Sequence, residues 1–242
     1  MSTNGCIALI VKCPNICWLD FLRDFTQYDI YVIIDDESKN YTEIYAKDYP
    51  NIQFIQVSSE DCLKSGFIDT NFAINKLISG WDKALYYFAI KNTTYGKVWF
   101  IEDDVFFYKE STIINIDKKY KDADLLSNEI IKNNKRNNRE WLWSRIKING
   151  DLPYYKGMMC AVRMSRSLLS CIKVYATKNK TLYFLEALFP TICSKHGLKG
   201  RSIEELQNIY YRHTFAVDDL NKNELFHPMK DITAHEKFRS LM

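Results

Sequence analysis

Four short apolar runs, each separated from the next by a polar loop or a stretch of helical periodicity, constrain this chain most. Cys6-Ile7-Ala8-Leu9-Ile10-Val11 is stopped by Pro14, and Ile30-Tyr31-Val32-Ile33-Ile34 runs straight into Asp35-Asp36-Glu37-Ser38. Ile52-Gln53-Phe54-Ile55-Gln56-Val57 alternates before Ser58-Ser59, and Lys97 to Ile101 delivers Glu102-Asp103-Asp104. Continuous apolar runs of this length read as strands buried on both faces. Between them, Trp18 to Tyr28 and Trp81 to Ile90 carry apolar residues at helical spacing. The alternation predicts an α/β fold of βαβ units, with right-handed crossovers and a mostly parallel central sheet flanked by helices. Ligands of such sheets lie beyond the carboxyl ends of the strands, which gives Asp35-Asp36 and Glu102-Asp103-Asp104 a shared crevice.

The second half is less regular. Asp124-Leu125-Leu126 reads as a short strand, and Trp141-Leu142-Trp143 begins an aromatic segment. Gly157 to Val162 reads as a strand leading into a helix over 165–174, and Thr181 to His196 as an amphipathic helix with Gly197 at its C-cap. One domain over residues 1–242 is expected, with a ligand-binding half over about 1–108 and a second half over about 109–242.

Thirty-three basic and thirty acidic residues leave a net charge of +3, which argues against a polycationic nucleic-acid binder. The most basic stretch, Lys132 to Arg139, reads as a solvated loop. Seven cysteines, an odd number, form no C-x-x-C pair; Cys160, Cys171 and Cys193 lie in apolar segments and read as reduced, small hydrophobes. The start has no basic leader, and no run approaches the roughly 18 apolar residues of a membrane span, so a cytoplasmic location is expected.

Glu102, Asp103 and Asp104 crowd three carboxylates at one strand end. Along an extended chain Glu102 and Asp104 point one way and Asp103 the other. Unpaired, they would repel one another, so a cation is expected among them; a hard divalent ion completed by diphosphate oxygens fits. The alternative is a charged loop that merely ends a strand.

In this arrangement the chain resembles the nucleotide-diphospho-sugar transferases of GT-A fold, whose DxD motif binds Mn2+ or Mg2+ and the donor diphosphate. Glu102-Asp103-Asp104 stands where that motif would, with Glu in the first position. Tyr154-Tyr155-Lys156-Gly157-Met158-Met159 resembles the family's acceptor-side segment, which marks Tyr155 and Gly157. Leu185-Glu186-Ala187 falls where the family places its catalytic acid, at a helix start. Leu225-Phe226-His227-Pro228-Met229-Lys230 resembles the C-terminal histidine segment that closes the metal site. The resemblance therefore implies a glycosyltransferase that moves a sugar from a nucleoside diphosphate, uridine-linked, to a glycan or other hydroxyl acceptor. Glu102, Asp104 and His227 would hold the metal, with Glu102 and Asp103 as alternatives for one position. Asp35, Asp36, Lys83, Asp103 and Lys230 would meet the donor, and Glu186 would act as general base with inversion at the anomeric carbon.

Each assignment has an ordinary structural alternative. Glu186 could lie on a solvated helix face, His227 in a turn, Gly157 at a bulge, Lys83 in solvent, and Asp35 or Asp36 at a cap. A non-catalytic sugar-nucleotide or glycan-binding module on the same fold is the rival from another class. The Gly-rich loops of P-loop and dinucleotide proteins are missing, and Lys12-Cys13-Pro14-Asn15 follows the first strand where a sugar-phosphate nucleotidyltransferase carries glycines.

Overall fold

A computed structural model describes residues 5–71, 76–135, 141–151 and 153–241. In chain order the principal elements of the first half are β1 (Gly5–Val11), α1 (Ile16–Leu22), β2 (Asp29–Ile34), α2 (Tyr41–Tyr45), β3 (Ile52–Gln56), α3 (Ser59–Ser65), α4 (Gly80–Tyr86) and β4 (Lys97–Glu102). The second half continues with α5 (Glu110–Lys119), β5 (Leu125–Ser127), β6 (Ile131–Asn133), β7 (Tyr154–Lys156), β8 (Ala161–Ser165), α6 (Arg166–Asn179) and α7 (Leu185–Lys195). It closes with β9 (Gly200–Ser202), β10 (Asn208–Ile209), β11 (Phe226–His227) and α8 (Ile232–Ser240).

The central sheet has seven strands in the order β3-β2-β1-β4-β8-β5-β9, drawn from both halves of the chain. β1 pairs in parallel with β2 and β4, β2 with β3, and β5 with β9; only β8 runs antiparallel to its neighbours. This is the expected α/β architecture with a mostly parallel sheet. β1 is buried along its whole length because its two faces serve two cores. Cys6, Ala8 and Ile10, with Val98 and Phe100, join the core under α4, α6 and α7. Ile7, Leu9 and Val11, with Trp99 and Ile101, join the opposite core with α1 residues Trp18, Leu19 and Leu22. Period-two alternation between two apolar layers is what a continuous apolar run encodes.

Several elements differ from the sequence-based expectation. The helix expected over Trp18 to Tyr28 ends at Leu22, and the chain then turns so that the Glu110 carboxylate accepts the amides of Thr26, Gln27 and Tyr28. α2, α3, α5 and α8 lie outside the expected set; all are short, with Asn40, Ser58, Lys109 and Asp231 at their N-caps. The side chains of Asn40, Ser58 and Asp231 each accept a first-turn amide, which starts these helices without a long apolar face. α4 begins as expected, but a π-helical turn over Tyr87–Lys91 follows it. The strand expected over Gly157 to Val162 is β8, displaced to Ala161–Ser165, and Ser165 then caps α6 by accepting the Leu168 amide at 3.1 Å.

The helix expected from Thr181 starts only at Leu185. The amides of Leu182, Phe184 and Leu185 donate instead to the carbonyls of Ile68, Asp69 and Thr70, and Phe184 adopts a φ of 57°. Lys132 and Asn133 belong to β6, opposite Tyr155 and Tyr154, rather than to a solvated loop; Arg136 to Arg139 lie outside the described residues. Among the described residues no helix is long and apolar enough to cross a membrane.

Candidate active site

β4 ends at Glu102, and the Val105 amide donates back to the Glu102 carbonyl at 3.1 Å, so a tight turn carries Asp103 and Asp104. The turn, rather than continued strand alternation, brings Glu102 and Asp104 together. The C-terminal segment is zipped onto it. Phe106 and Phe226 exchange both backbone hydrogen bonds, at 2.8 and 2.9 Å, and the Met229 amide donates to the Asp104 carbonyl at 2.7 Å. His227 therefore lands on the acids, its Nε2 3.2 Å from Asp104 Oδ1 and 3.9 Å from Glu102 Oε2.

Two partners orient these groups. The His227 Nδ1–H donates to the Tyr210 carbonyl at 2.6 Å, which leaves Nε2 as the nitrogen that faces the acids. The Trp81 indole N–H donates to Glu102 Oε1 at 2.6 Å, leaving Oε2 to face His227. Trp81 is itself wedged between Phe100 of β4 and Phe189 of α7.

Positive charge is scarce here. Burial, then repulsion from Asp104, pushes Glu102 above the usual carboxylate range. Burial, then Asp104 and Glu102, pushes Asp103 up to about 6. Burial alone would lower His227, but Asp104 and Glu102 outweigh it and raise the imidazole above its ordinary value. Asp104 Oδ1 is buried and faces the His227 Nε2. A buried carboxylate oxygen, a second carboxylate and an imidazole nitrogen that converge on one another form a donor set that suits a divalent cation once the imidazole is neutral. Asp103 contributes differently: its carbonyl accepts the Trp18 indole N–H at 2.8 Å, and its carboxylate enters none of the described ion pairs.

Glu186 occupies the first turn of α7, half-buried rather than on a solvated face. Burial, then the charge of Glu102, pushes it up to about 7, while Lys156 pulls the other way. The Glu186 carbonyl accepts the Gly157 amide at 2.9 Å, and the Tyr155 amide donates to Thr191 Oγ1 at 2.9 Å, so β7 and the turn after it are tied along α7. Gly157 is required for steric reasons: a Cβ there would stand 2.2 Å from the Glu129 carbonyl oxygen. Lys156 pairs with Glu129 at 3.0 Å.

Lys83 is 1% exposed, not solvated. Its ammonium donates to the Asp35 carbonyl and to Glu37 Oε1 at 2.7 Å, and lies 3.3 Å from Asp35 Oδ1. Asp35 also pairs with Lys76, so Lys83 reaches the crevice only through an ion cluster. Asp36 accepts from Ser38 Oγ at 2.8 Å and from the Tyr41 hydroxyl at 2.6 Å. Lys230 is exposed and enters none of the described ion pairs. α4 thus touches both strand-end acid groups, Asp35 through Lys83 and Glu102 through Trp81.

Sequence reasoning missed Trp81, Tyr210 and Cys160 as parts of this site. The Cys160 thiol sits with Glu102 and His227, their ligand atoms within 4.8 Å of one another. Pairing of the second strand across β4 could have found it, since Ile101 opposite Ala161 puts Cys160 next to Glu102.

No protein-family model matches the chain, and no curated protein sequence does. Among solved structures it is similar to the galactosyltransferase LgtC in complex with donor and acceptor sugar analogues, at 16% identity over 98% of this chain and 94% of that one, with a TM-score of 0.49. It is also similar to the mannosyltransferase Ktr4p from S. cerevisiae, at 13% identity and a TM-score of 0.40, covering 78% of this chain but only 65% of that one. A third similarity is to 4-diphosphocytidyl-2C-methyl-D-erythritol synthase from Anaerococcus prevotii, at 9% identity over 82% of this chain and 87% of that one, with a TM-score of 0.44. With TM-scores below 0.5, none of these likenesses assigns an activity to this chain.

Proposed function

We propose that the protein is a metal-dependent glycosyltransferase that moves a sugar from a nucleoside-diphosphate donor, uridine-linked, to a hydroxyl of a glycan or similar acceptor. The observation that carries this reading is the meeting of Glu102, Asp104 and His227 at the carboxyl edge of the sheet, with the buried Asp104 Oδ1 facing the His227 Nε2. These three residues would hold Mn2+ or Mg2+, whose chemistry, when bound, is to neutralise charge on a leaving diphosphate.

The chain's own groups supply the rest. Tyr210 and Trp81 fix the imidazole tautomer and the Glu102 rotamer before any ligand arrives. Glu186, its carboxyl pushed up to about 7, titrates close to neutrality, where a general base works best. It accepts the proton of the acceptor hydroxyl as the new bond forms, which implies inversion. Tyr155 and Gly157 line the acceptor side, and Lys156 tempers the charge of Glu186. Asp35 and Asp36 would meet the donor's ribose or base, and Asp103 and Lys230 the diphosphate end. Lys83 would act through Asp35, whose carbonyl it holds.

The test compares two variants. Glu186→Gln should keep donor affinity near wild type while turnover falls roughly 10²–10⁴-fold, the usual worth of a general base. His227→Ala should lose donor affinity and regain part of it in excess Mn2+. Calorimetry with uridine diphosphate reads the binding, and NMR of the product anomer reads the stereochemistry. Full diphosphate affinity in a chelator would sink the metal-dependent reading, and unimpaired turnover of Glu186→Gln would sink the base.

A further inference from the structure

Cys160 stands beside Glu102 at the end of the β4–β8 pairing. β4 and β8 are antiparallel with Ile101 opposite Ala161, and the next pair outward is Glu102 and Cys160, whose backbones are joined by the Glu102 amide donating to the Cys160 carbonyl at 2.9 Å. Cys160 Sγ, a Glu102 carboxylate oxygen and a His227 ring nitrogen all lie within 4.8 Å of one another. Asp104 Oδ1 lies 3.2 Å from the same imidazole Nε2. Cys160 is 8% exposed and packs in the same apolar cluster as Ile101 and Ala161, and its thiol at the same time neighbours a carboxylate and an imidazole.

We propose that this site also takes a thiophilic divalent cation of the Zn2+ class, ligated by the Cys160 sulfur together with His227 and Glu102, and that this cation displaces the Mn2+ or Mg2+ that the same His227 and Glu102 would hold for the donor. The proposal rests on the metal-dependent reading of the same acids and adds a ligand to it. Carboxylate and phosphate oxygens suit Mg2+ and Mn2+, whereas a thiolate beside an imidazole shifts preference toward Zn2+ and Cd2+. Zn2+ takes thiolate, imidazole and carboxylate ligands together, and His227 and Glu102 cannot serve it and a hard ion at the same time. Ligation forms one sulfur–metal bond and releases the thiol proton to the buffer; neither sulfur nor metal changes oxidation state. The residues thus discriminate between cations: a hard ion bound without the sulfur supports the donor, and a soft ion bound with it takes two of the same ligands away.

The experiment titrates the metal-free protein with Cd2+ and follows the ultraviolet charge-transfer band of a cadmium–thiolate bond. Wild type, Cys160→Ala and Cys160→Ser are compared, and circular dichroism checks each fold; the serine variant is nearly isosteric should the alanine variant not fold. The exposed Cys13 contributes equally to all three and cancels in the difference. Wild type should show one additional stoichiometric band that both variants lack. Zn2+ affinity should fall in the variants by at least the roughly 10–100-fold that even outer-shell partners of a metal command. In parallel, the Zn2+ needed to halve Mn2+-supported uridine diphosphate binding, each protein against its own zinc-free value, should rise by a similar factor. Equal bands, or equal Zn2+ affinity in wild type and Cys160→Ser, would overturn the proposal. The two readings separate cleanly. A Cys160-dependent band without metal-dependent diphosphate binding leaves the thiol site standing and removes the glycosyltransferase reading. Metal-dependent diphosphate binding with no such band does the reverse.

Discussion

Trp81 donates its indole N–H to Glu102 and packs between Phe100 and Phe189, so one side chain both fills a core and aims a carboxylate. Replacing it with phenylalanine keeps most of the packing and removes only the donor. Trp81→Phe should therefore weaken Mn2+ binding roughly 10–100-fold, the usual effect of losing an outer-shell hydrogen bond. Electron paramagnetic resonance of free Mn2+ measures this, with an unchanged circular dichroism spectrum; unaltered Mn2+ affinity would show that the bond does not orient Glu102. The contrast between Glu102 and Trp81 also shows what a sequence makes legible. Glu102, Asp104 and His227 announce themselves by residue type and order along the chain. Trp81, Cys160 and the Tyr210 carbonyl do not, because their parts depend on contacts across helix and strand: an indole reads as core, a thiol as a small hydrophobe, and a backbone carbonyl leaves no trace in the residue letters.

α7 shows the same limit at the scale of an element. Its apolar periodicity extends back to Thr181, yet residues 182–185 give their amides to the 68–70 segment and the helix begins late. That late start puts Glu186 in the first turn, next to the site. β1, β2 and β4 are legible because burial on both faces leaves an apolar run, and β3, at the sheet edge with Gln53 exposed, because its residues alternate. α2, α3 and α8 are not, because a few turns leave too short a pattern, and α5 buries only Thr112, Ile113 and Ile116 within a largely polar stretch. The turn after β7 fixes where α7 begins laterally, through the Gly157 amide and the Glu186 carbonyl. Gly157→Ala forces a methyl group against the Glu129 carbonyl, which is backbone and cannot rotate away. The expected cost is about 1–3 kcal/mol, within the range of overpacked or strained sites. Urea denaturation at neutral pH measures it, and a midpoint equal to wild type would mean that the turn accommodates a side chain.

For the whole molecule, α8 closes the chain against α1, with His235 fully buried between Trp18 and Phe106, its Nε2–H donating to the Met229 carbonyl at 2.8 Å. Burial, reinforced by repulsion from Arg239, pulls this imidazole down to about 4. A histidine held neutral in the fold but free to protonate at about 6.5 when unfolded stabilises the protein fully above that value. As pH falls from 6.5 toward 4 the unfolded chain takes up a proton that the native state refuses, and about 2–3 kcal/mol of stability is lost. Glu186 and Asp103, raised rather than lowered, work in the opposite sense over part of this range, so the effect is read as a difference. The stability gap between wild type and His235→Phe should narrow as urea melts move from pH 7.5 to pH 5. A gap independent of pH would mean that His235 titrates alike in both states. Every strand of the central sheet has been made once Ser202 is made, whereas His227 and the helix that fastens its segment come afterwards. During synthesis, when structure forms from the N-terminal side as residues emerge, the nascent protein can acquire its scaffold before its cation site is complete. Assembly of the sheet and competence for metal are thereby separated in time, and a chain ending short of His227 would carry every strand of the central sheet without the imidazole that completes the cation site.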